Sequence, residues 1–345
     1  LEENSELAFE SSLLSAFIQV KNFLYQSLCF LLIALGMVLL LGKEHFLLGS
    51  ALGALEWPMV FWGSVILFFR RKKGLTQIDK VLVLTTGLLF LHGMYGRISR
   101  ITFPSGKNTE QEVSIMTYNL FFKNAYKSQI LKEIKAHPVD IMAVQELTPA
   151  WSAQLGSITA DYPYRSRKAL RGTHGLGLYS RYPILSTHFL KNSRGRPFAQ
   201  VCQIKIGNKD LIVANAHLAS PAVAVENPDN FLSLYASNYE ERKSQIQLLV
   251  DYLETHHQDK PRIIMGDLNT MRIEALYRRL RQGYSDLYRK KGMGPGWNFP
   301  NIASIPFPLI TLDYMLYRGK IRGLDAEVLP GSSSDHLALW GRIRL

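Results

Sequence analysis

Six short polar groups close apolar runs in the second two-thirds of this 345-residue chain. Each holds residues able to bind a cation, move a proton or receive an anion. Tyr118-Asn119 closes Ser114-Ile115-Met116-Thr117, and Gln145-Glu146 closes Ile141-Met142-Ala143-Val144. Asn215-Ala216-His217 follows Leu211-Ile212-Val213-Ala214, and Gly266-Asp267-Leu268-Asn269 follows Arg262-Ile263-Ile264-Met265. Asp313-Tyr314 and Ser334-Asp335-His336 complete the set. Taken singly, each has a plain explanation. Asn119 suits a helix cap, Glu146 a surface acid, Gly266 to Asn269 an ordinary turn, and His217 a half-buried imidazole in a satisfied site. Together they place carboxylates, amides and two histidines at strand ends, where loops hold functional groups on a rigid scaffold.

The elements that must position these groups read as short runs rich in β-branched residues, alternating with helical stretches. Strands are expected at 113–119, 139–145, 174–180, 198–206, 210–216, 261–266, 313–318 and 335–342, and helices at 126–136, 239–256 and 272–281. Strands come in pairs as well as singly. Two packed sheets with helices outside therefore fit better than a simple doubly wound sheet.

In this order and spacing the six groups resemble the endonuclease/exonuclease/phosphatase superfamily over residues 113–345, in particular its deoxyribonuclease I-like, neutral sphingomyelinase-like and bacterial membrane-anchored members. The resemblance implies an α/β fold, a four-layered α/β sandwich of two packed mixed β-sheets flanked by helices. Here an N-terminal transmembrane helical region precedes it. It also implies a divalent metal-dependent phosphoric ester hydrolase. Asn119, Glu146 and Asp335 are then the expected metal ligands, with Mg²⁺ the expected ion and Mn²⁺ an alternative. Glu146 is the hard oxygen ligand that Mg²⁺ prefers, and Asn119 and Asp335 complete the shell directly or through water. By the same analogy His336 is the base or electrostatic partner at the phosphate, oriented by Asp313. Asp267 positions or activates water, Asn269 holds a phosphoryl oxygen, and His217 binds phosphate or protonates the leaving group. Abasic-site endonucleases tend to carry Tyr where His217 stands, which argues against a base-excision role. Trp297 and Arg181 are the expected substrate contacts, Trp297 lying in a Gly/Pro/Trp stretch similar to a substrate-side lip of the membrane-anchored members.

The first third has another character. Phe23–Leu41 carries no charge and is long enough to cross a bilayer core; 46–69 and 81–98 are further apolar runs. A signal peptide has a single such segment, so residues 1–98 read as a membrane region of two to three helices, with 99–112 a linker and 113–345 the catalytic domain. Arg70-Arg71-Lys72-Lys73, between the second and third runs, belongs in the cytoplasm under the positive-inside rule. That places the catalytic domain outside the inner membrane, in the periplasm of a two-membrane cell, if the third run spans. The two cysteines, Cys29 and Cys202, exclude a disulfide framework and a thiolate zinc site.

Residues 101–345 carry 31 Lys/Arg against 21 Asp/Glu, most of the chain's net charge of +12. Such a surface attracts anions without naming one. Residues 218–237 and 292–310 hold apolar side chains that either flank the site's mouth or pack locally under long loops. The expected partners are the bilayer and a phosphoester substrate, lipid-linked for preference and nucleic acid as the alternative. An intact metal and histidine set argues against a degenerate scaffold.

Overall fold

The computed structural model describes residues 111–345 apart from Ala303, Ile305, Pro306 and Ser332, and, before them, Thr76, Gln77, Lys80, Val81 and Leu84. The chain divides into two compact units, Leu1–Tyr95 and Gly96–Leu345. Among the described residues no helix is long and apolar enough to cross a membrane. The spans expected at 23–41, 46–69 and 81–98 lie outside them, save for Val81 and Leu84.

The described residues of the second unit form twelve strands: β1 (Glu112–Asn119), β2 (Ile141–Gln145), β3 (Tyr164–Lys168), β4 (Leu176–Ser180), β5 (Ile184–Lys191), β6 (Pro197–Ile206), β7 (Lys209–His217), β8 (Arg262–Asp267), β9 (Ser285–Asp286), β10 (Asp313–Arg318), β11 (Arg322–Val328) and β12 (Leu339–Arg344). They form two six-stranded mixed sheets, ordered β11-β12-β1-β2-β4-β3 and β5-β6-β7-β8-β10-β9. Among the same residues six α-helices accompany them: α1 (Lys127–Ala136), α2 (Pro149–Gln154), α3 (Ala222–Val225), α4 (Phe231–His257), α5 (Ala275–Arg281) and α6 (Leu287–Lys291).

Alternation along the strands sorts side chains into layers. Val113 and Ile115 of β1, Ile141 and Ala143 of β2, Leu211 and Val213 of β7, Ile263 and Met265 of β8, and Met315 and Tyr317 of β10 fill the core between the sheets. Their neighbours face outward. Met116, Tyr118, Met142 and Val144 pack with Ile130, Leu131 and Ile134 of α1, and Ile212, Ala214, Ile264 and Leu316 pack with Ile246, Leu249 and Leu253 of α4. The four layers expected from the sequence are present.

Several boundaries differ from expectation. Helix α4 begins at Phe231, not residue 239, so much of the stretch expected as a loop after His217 is helical. The strand expected at 335–342 starts at Leu339, because Asp335 and His336 are held in a loop: Asn301 N–H donates to the Asp335 carbonyl at 2.7 Å. β3 and β5 lie at sheet edges with mostly exposed or half-buried side chains, and β11, the third edge strand with a clear ladder, is only partly buried. That pattern gives little apolar periodicity to read.

Candidate active site

The site is the polar end of the inter-sheet core. Continuing the inward face of each strand past its apolar residues leads first to Thr117, Gln145 and Asn215, all buried. Gln145 Nε2 donates to Thr117 Oγ1 (3.0 Å) and to Asn215 Oδ1 (2.7 Å), while Asn215 Nδ2 donates to the Val144 and Gly177 carbonyls at 3.0 Å each. Gln145 and Asn215 thus serve as clamps between the sheets. One step further along the same faces lie Asn119, His217, Asp267 and Asp313. Register fixes three of them in a row, since His217 is the parallel partner of Asp267 and Asp313 its antiparallel partner.

The backbone at this end is unusual. Among the described residues only Phe121, Glu146 and Asn269 combine a side chain with positive φ (56°, 58° and 45°), and they stand in the loops leaving β1, β2 and β8. Such conformations cost side-chain-bearing residues energy and gather at functional sites. At Gly266 (φ 141°) a Cβ would lie 1.9 Å from the Ala216 carbonyl oxygen, so only glycine lets β8 run this close to β7 ahead of Asp267.

His336 Nδ1 lies 2.7 Å from Asp313 Oδ2, and its Nε2 lies 3.7 Å from Asp267 Oδ2. Burial opposes the imidazolium, but Asp313, Asp267 and Asp335 outweigh it and lift His336 to about 10. Burial also pushes Asp313 up to about 6, against the opposing charge of His336. His217 Nδ1 must donate to the Thr173 carbonyl (3.0 Å), which turns Nε2 toward Asp267 Oδ2 (3.5 Å) and Glu146 Oε1 (3.9 Å). Asn269 is buried; its N–H donates to Asp267 Oδ1 and its side-chain Nδ2 to the Leu218 carbonyl, both at 3.0 Å.

The residues present fit a hard divalent cation. Glu146, Asp267 and Asp335 converge so closely that, beyond burial, the charges of the first two push Asp335 upward. Such a group of buried acids needs a positive partner. Among the described residues, Asp267, Asp313 and His336 also bring ligand atoms within 4.8 Å of one another. His336 and Asp313 are already bonded to each other, whereas Glu146 and Asp335 supply oxygen ligands alone, the set that suits a hard cation. Of the two roles expected of Asn119, metal ligand directly or through water, its hydrogen bonds favour the second. Its Oδ1 accepts from Phe121 N–H (3.0 Å), which turns Nδ2 toward Asp267 Oδ2 (3.0 Å) and Glu146 Oε1 (3.4 Å). The amide orders the two carboxylates and can reach a cation only through its water shell.

Arg181, an expected substrate contact, stands apart from the other site residues. It follows Ser180, whose partner in β2 is Ile141, at the end opposite Gln145, and its N–H and Nη1 go to Asp140. A whole strand separates it from Glu146. The two residues after Trp297 reach the site: Asn298 accepts from the backbone of Leu312 and Asp313, and the Phe299 ring sits 4.7 Å from the ring of His336.

Two buried residues were not singled out from the sequence. Asn298 holds the 292–300 segment to Asp313, donating to its carbonyl at 3.1 Å. Arg242 on α4 donates to the Asn269 carbonyl and pairs with buried Glu274 at 3.7 Å. A signal for Arg242 existed: it interrupts the stripe Tyr235, Tyr239, Ile246, Leu249, Leu253, where helical spacing calls for an apolar side chain.

The fold has solved counterparts. An endonuclease/exonuclease/phosphatase from Bacteroides vulgatus is 17% identical, with a TM-score of 0.57, covering 68% of this chain and 99% of that one. D. rerio TDP2 complexed with single strand DNA product is 16% identical, with a TM-score of 0.55, covering 68% and 100%. A mannosyl-6-phosphatase from Bacteroides thetaiotaomicron is 16% identical, with a TM-score of 0.53, covering 67% and 99%. No curated relative matches by sequence. The Endonuclease/Exonuclease/phosphatase family pattern matches residues 116–336, from the inward-facing strands through His336. With that span covering most of the chain, the protein belongs to the Endonuclease/Exonuclease/phosphatase family and is a metal-dependent phosphoester hydrolase.

Proposed function

We propose that the protein is a Mg²⁺-dependent phosphoesterase that works at a membrane surface on a lipid or lipid-linked substrate. The observation that carries this reading is the exposed apolar rim on two segments tied to the site. Val223 and Leu232, in the stretch after His217, are 50% and 65% exposed. Phe307, in the segment whose Phe299 packs on His336, is 56% exposed, and Ile302 and Leu309 are exposed beside it. Exposed apolar side chains on segments that lead away from a polar site suit a substrate with a greasy end. The apolar runs of residues 23–98 add a bilayer anchor to the same reading.

A divalent cation held by Glu146 and Asp335 would neutralise charge on the phosphoryl oxygens. His336, protonated at neutral pH, donates from Nε2 to a phosphoryl oxygen, while Asp313 holds its ring. Asp267 orients the attacking water, and His217 faces the same space from the other side. The basic run Arg70–Lys73 supports an extracytoplasmic catalytic domain. A reporter fused after Leu345 and active only in the cytoplasm would overturn that placement.

A nuclease is the second reading, favoured by the basic excess and by the fold shared with D. rerio TDP2, whose structure holds a single strand DNA product. A panel of lipid phosphoesters in vesicles, single- and double-stranded DNA, and soluble phosphate esters, with Mg²⁺ or with chelator, separates the two. Turnover of DNA exceeding that of every lipid substrate would establish the nuclease instead.

A further inference from the structure

Asp335 and His336 stand in the connection between β11 and β12, whose ladder ends where Leu329 N–H donates to the Ala338 carbonyl at 2.9 Å. The connection is too long for a tight turn, so its shape depends on bonds to other elements. One side is fixed by Asn301, whose Nδ2 donates to the Ser334 carbonyl and whose N–H donates to the Asp335 carbonyl, both at 2.7 Å. The other side is fixed by β1 and α1. Ser334 Oγ donates to the Asn119 carbonyl at 2.7 Å, and Asn124 Nδ2 donates to the Ser333 carbonyl at 2.5 Å. The Ser333 N–H goes to the carboxylate of Glu133 on α1.

Glu133 is half-buried beside Ile130 and Ile134, the apolar face of the helix, where a solvated acid has no reason to stand. Its Oε2 accepts from the hydroxyl of Tyr118 at 2.9 Å. Tyr118 is buried and is the chain neighbour of Asn119. One carboxylate therefore joins the end of β1 to the residue two places before Asp335. Burial raises the Glu133 carboxyl above its ordinary value, while the bonds from Tyr118 and Ser333 and the charge of His137 pull it down. Next to it a cavity lies between α1 and the connection, lined by Tyr118, Glu133, His137, Pro330 and Gly331 among others. Helix and connection are thus not packed against each other here, and hydrogen bonds through Glu133 set their spacing.

We propose that Glu133 is a positioning residue: through Ser333 it sets where Asp335 and His336 stand relative to Asn119 and Glu146. It touches neither cation nor substrate and acts only through the connection it holds. The inference rests on the reading of Asp335 as a metal ligand and His336 as the phosphate partner, and adds the outer helix that mounts them both.

Two readouts on the full chain test it. Calorimetric titration with Mn²⁺ reports on Asp335 without turnover, and kcat on bis(4-nitrophenyl) phosphate at saturating Mn²⁺ reports on His336. Glu133→Ala should weaken Mn²⁺ binding and lower kcat by roughly tenfold each, with KM changed less than about twofold. Glu133→Gln should bring both back to within about twofold of wild type, because its Oε1 accepts from Ser333 and its Nε2 donates to the Tyr118 oxygen. That rescue by a neutral side chain separates positioning from a charge effect. Tyr118→Phe removes the hydroxyl that aligns the carboxylate and should give a smaller loss in the same direction, which keeps the test open if Glu133→Ala does not fold. Wild-type Mn²⁺ affinity and kcat in folded Glu133→Ala, or an equal loss in Glu133→Gln, would overturn the proposal. Asp335→Asn binding Mn²⁺ as tightly as wild type would count against the metal reading alone, and the kcat of Glu133→Ala would then decide the role of Glu133.

Discussion

His336 and Asp313 form the shortest contact between an imidazole and a carboxylate at the site, Nδ1 to Oδ2 at 2.7 Å, with both residues buried. The contact orients the ring and holds its charge, and the two effects can be measured apart. Asp313→Asn keeps a hydrogen-bond acceptor but removes the charge. Turnover should fall roughly 10²–10⁴-fold, as it should for His336→Ala. Near wild-type turnover in a folded His336→Ala protein would show that this histidine is misassigned.

The same pair sets a pH dependence of stability in the metal-free protein. His336 titrates at about 10 when folded, against an ordinary value of 6.5. A folded value above the unfolded one means the imidazolium stabilises fully below about pH 6.5, and that stability is lost as pH rises through about 10. Wild-type stability should therefore decline between about pH 7 and 10 more steeply than that of His336→Gln. Parallel stability curves in chelator-treated samples would contradict the assignment of a charged His336.

Metal removal should abolish activity, and Mg²⁺ or Mn²⁺ should restore it. Glu146→Gln should raise the metal concentration needed for half-maximal rate by roughly 10–100-fold, since a ligating carboxylate becomes a neutral amide. Asn119→Asp tests the reorientation described above. With Nδ2 ordering two carboxylates, an added acid at this position should weaken packing in the metal-free state and recover with metal. Full activity in excess chelator would rule out the metal mechanism.

Arg242 is the clearest case of a positioning residue. It touches the backbone carbonyl of Asn269, not its side chain, and among the described residues its charge is paired with Glu274. Arg242→Met removes the guanidinium that faces the buried Glu274 carboxylate, a loss of about 3–5 kcal/mol by denaturant unfolding. Arg242→Met with Glu274→Leu should recover most of that stability. The double variant should nevertheless keep a depressed kcat with KM little changed, because the left-handed turn at Asn269 has lost its hold. Recovery of kcat along with stability would reduce Arg242 to a fold residue.

What the sequence revealed and what it concealed have one physical cause. Inward-facing positions of β1, β2, β7, β8 and β10 run apolar and then polar, so Asn119, His217, Asp267 and Asp313 announce themselves at the ends of β-branched runs. The edge strands β3 and β5 bury little, carry no such contrast, and were missed. Arg242 and Asn298 act through backbone carbonyls and N–H groups far away in sequence, a relationship no local pattern encodes. For Arg181, no local pattern says which end of β4 faces the site. Antiparallel pairing with β2 places it at the end opposite Gln145.

That polarity of the strands also sets a requirement on the linker. Glu112 begins β1 and Asn119 ends it, so the chain enters the domain at the end opposite the site, about 26 Å away for eight residues of strand. Gln111 there accepts from Leu345 N–H and lies against Gly207 in the β6–β7 turn, far from the apolar rim. If the apolar runs anchor the chain, the rim can meet the same bilayer only when the linker doubles back along the domain. The twelve residues before Gln111, 99–110, reach at most roughly 40 Å fully extended, enough to cover that length with some to spare. Deleting residues 101–108 leaves four, about 13 Å, too few to turn the site toward the membrane. Hydrolysis of a lipid phosphoester in the anchoring vesicle should then fall at least tenfold, while a soluble phosphodiester is cleaved as before. Unchanged activity on both would show that the substrate does not come from the anchoring bilayer and would favour a soluble or nucleic-acid substrate.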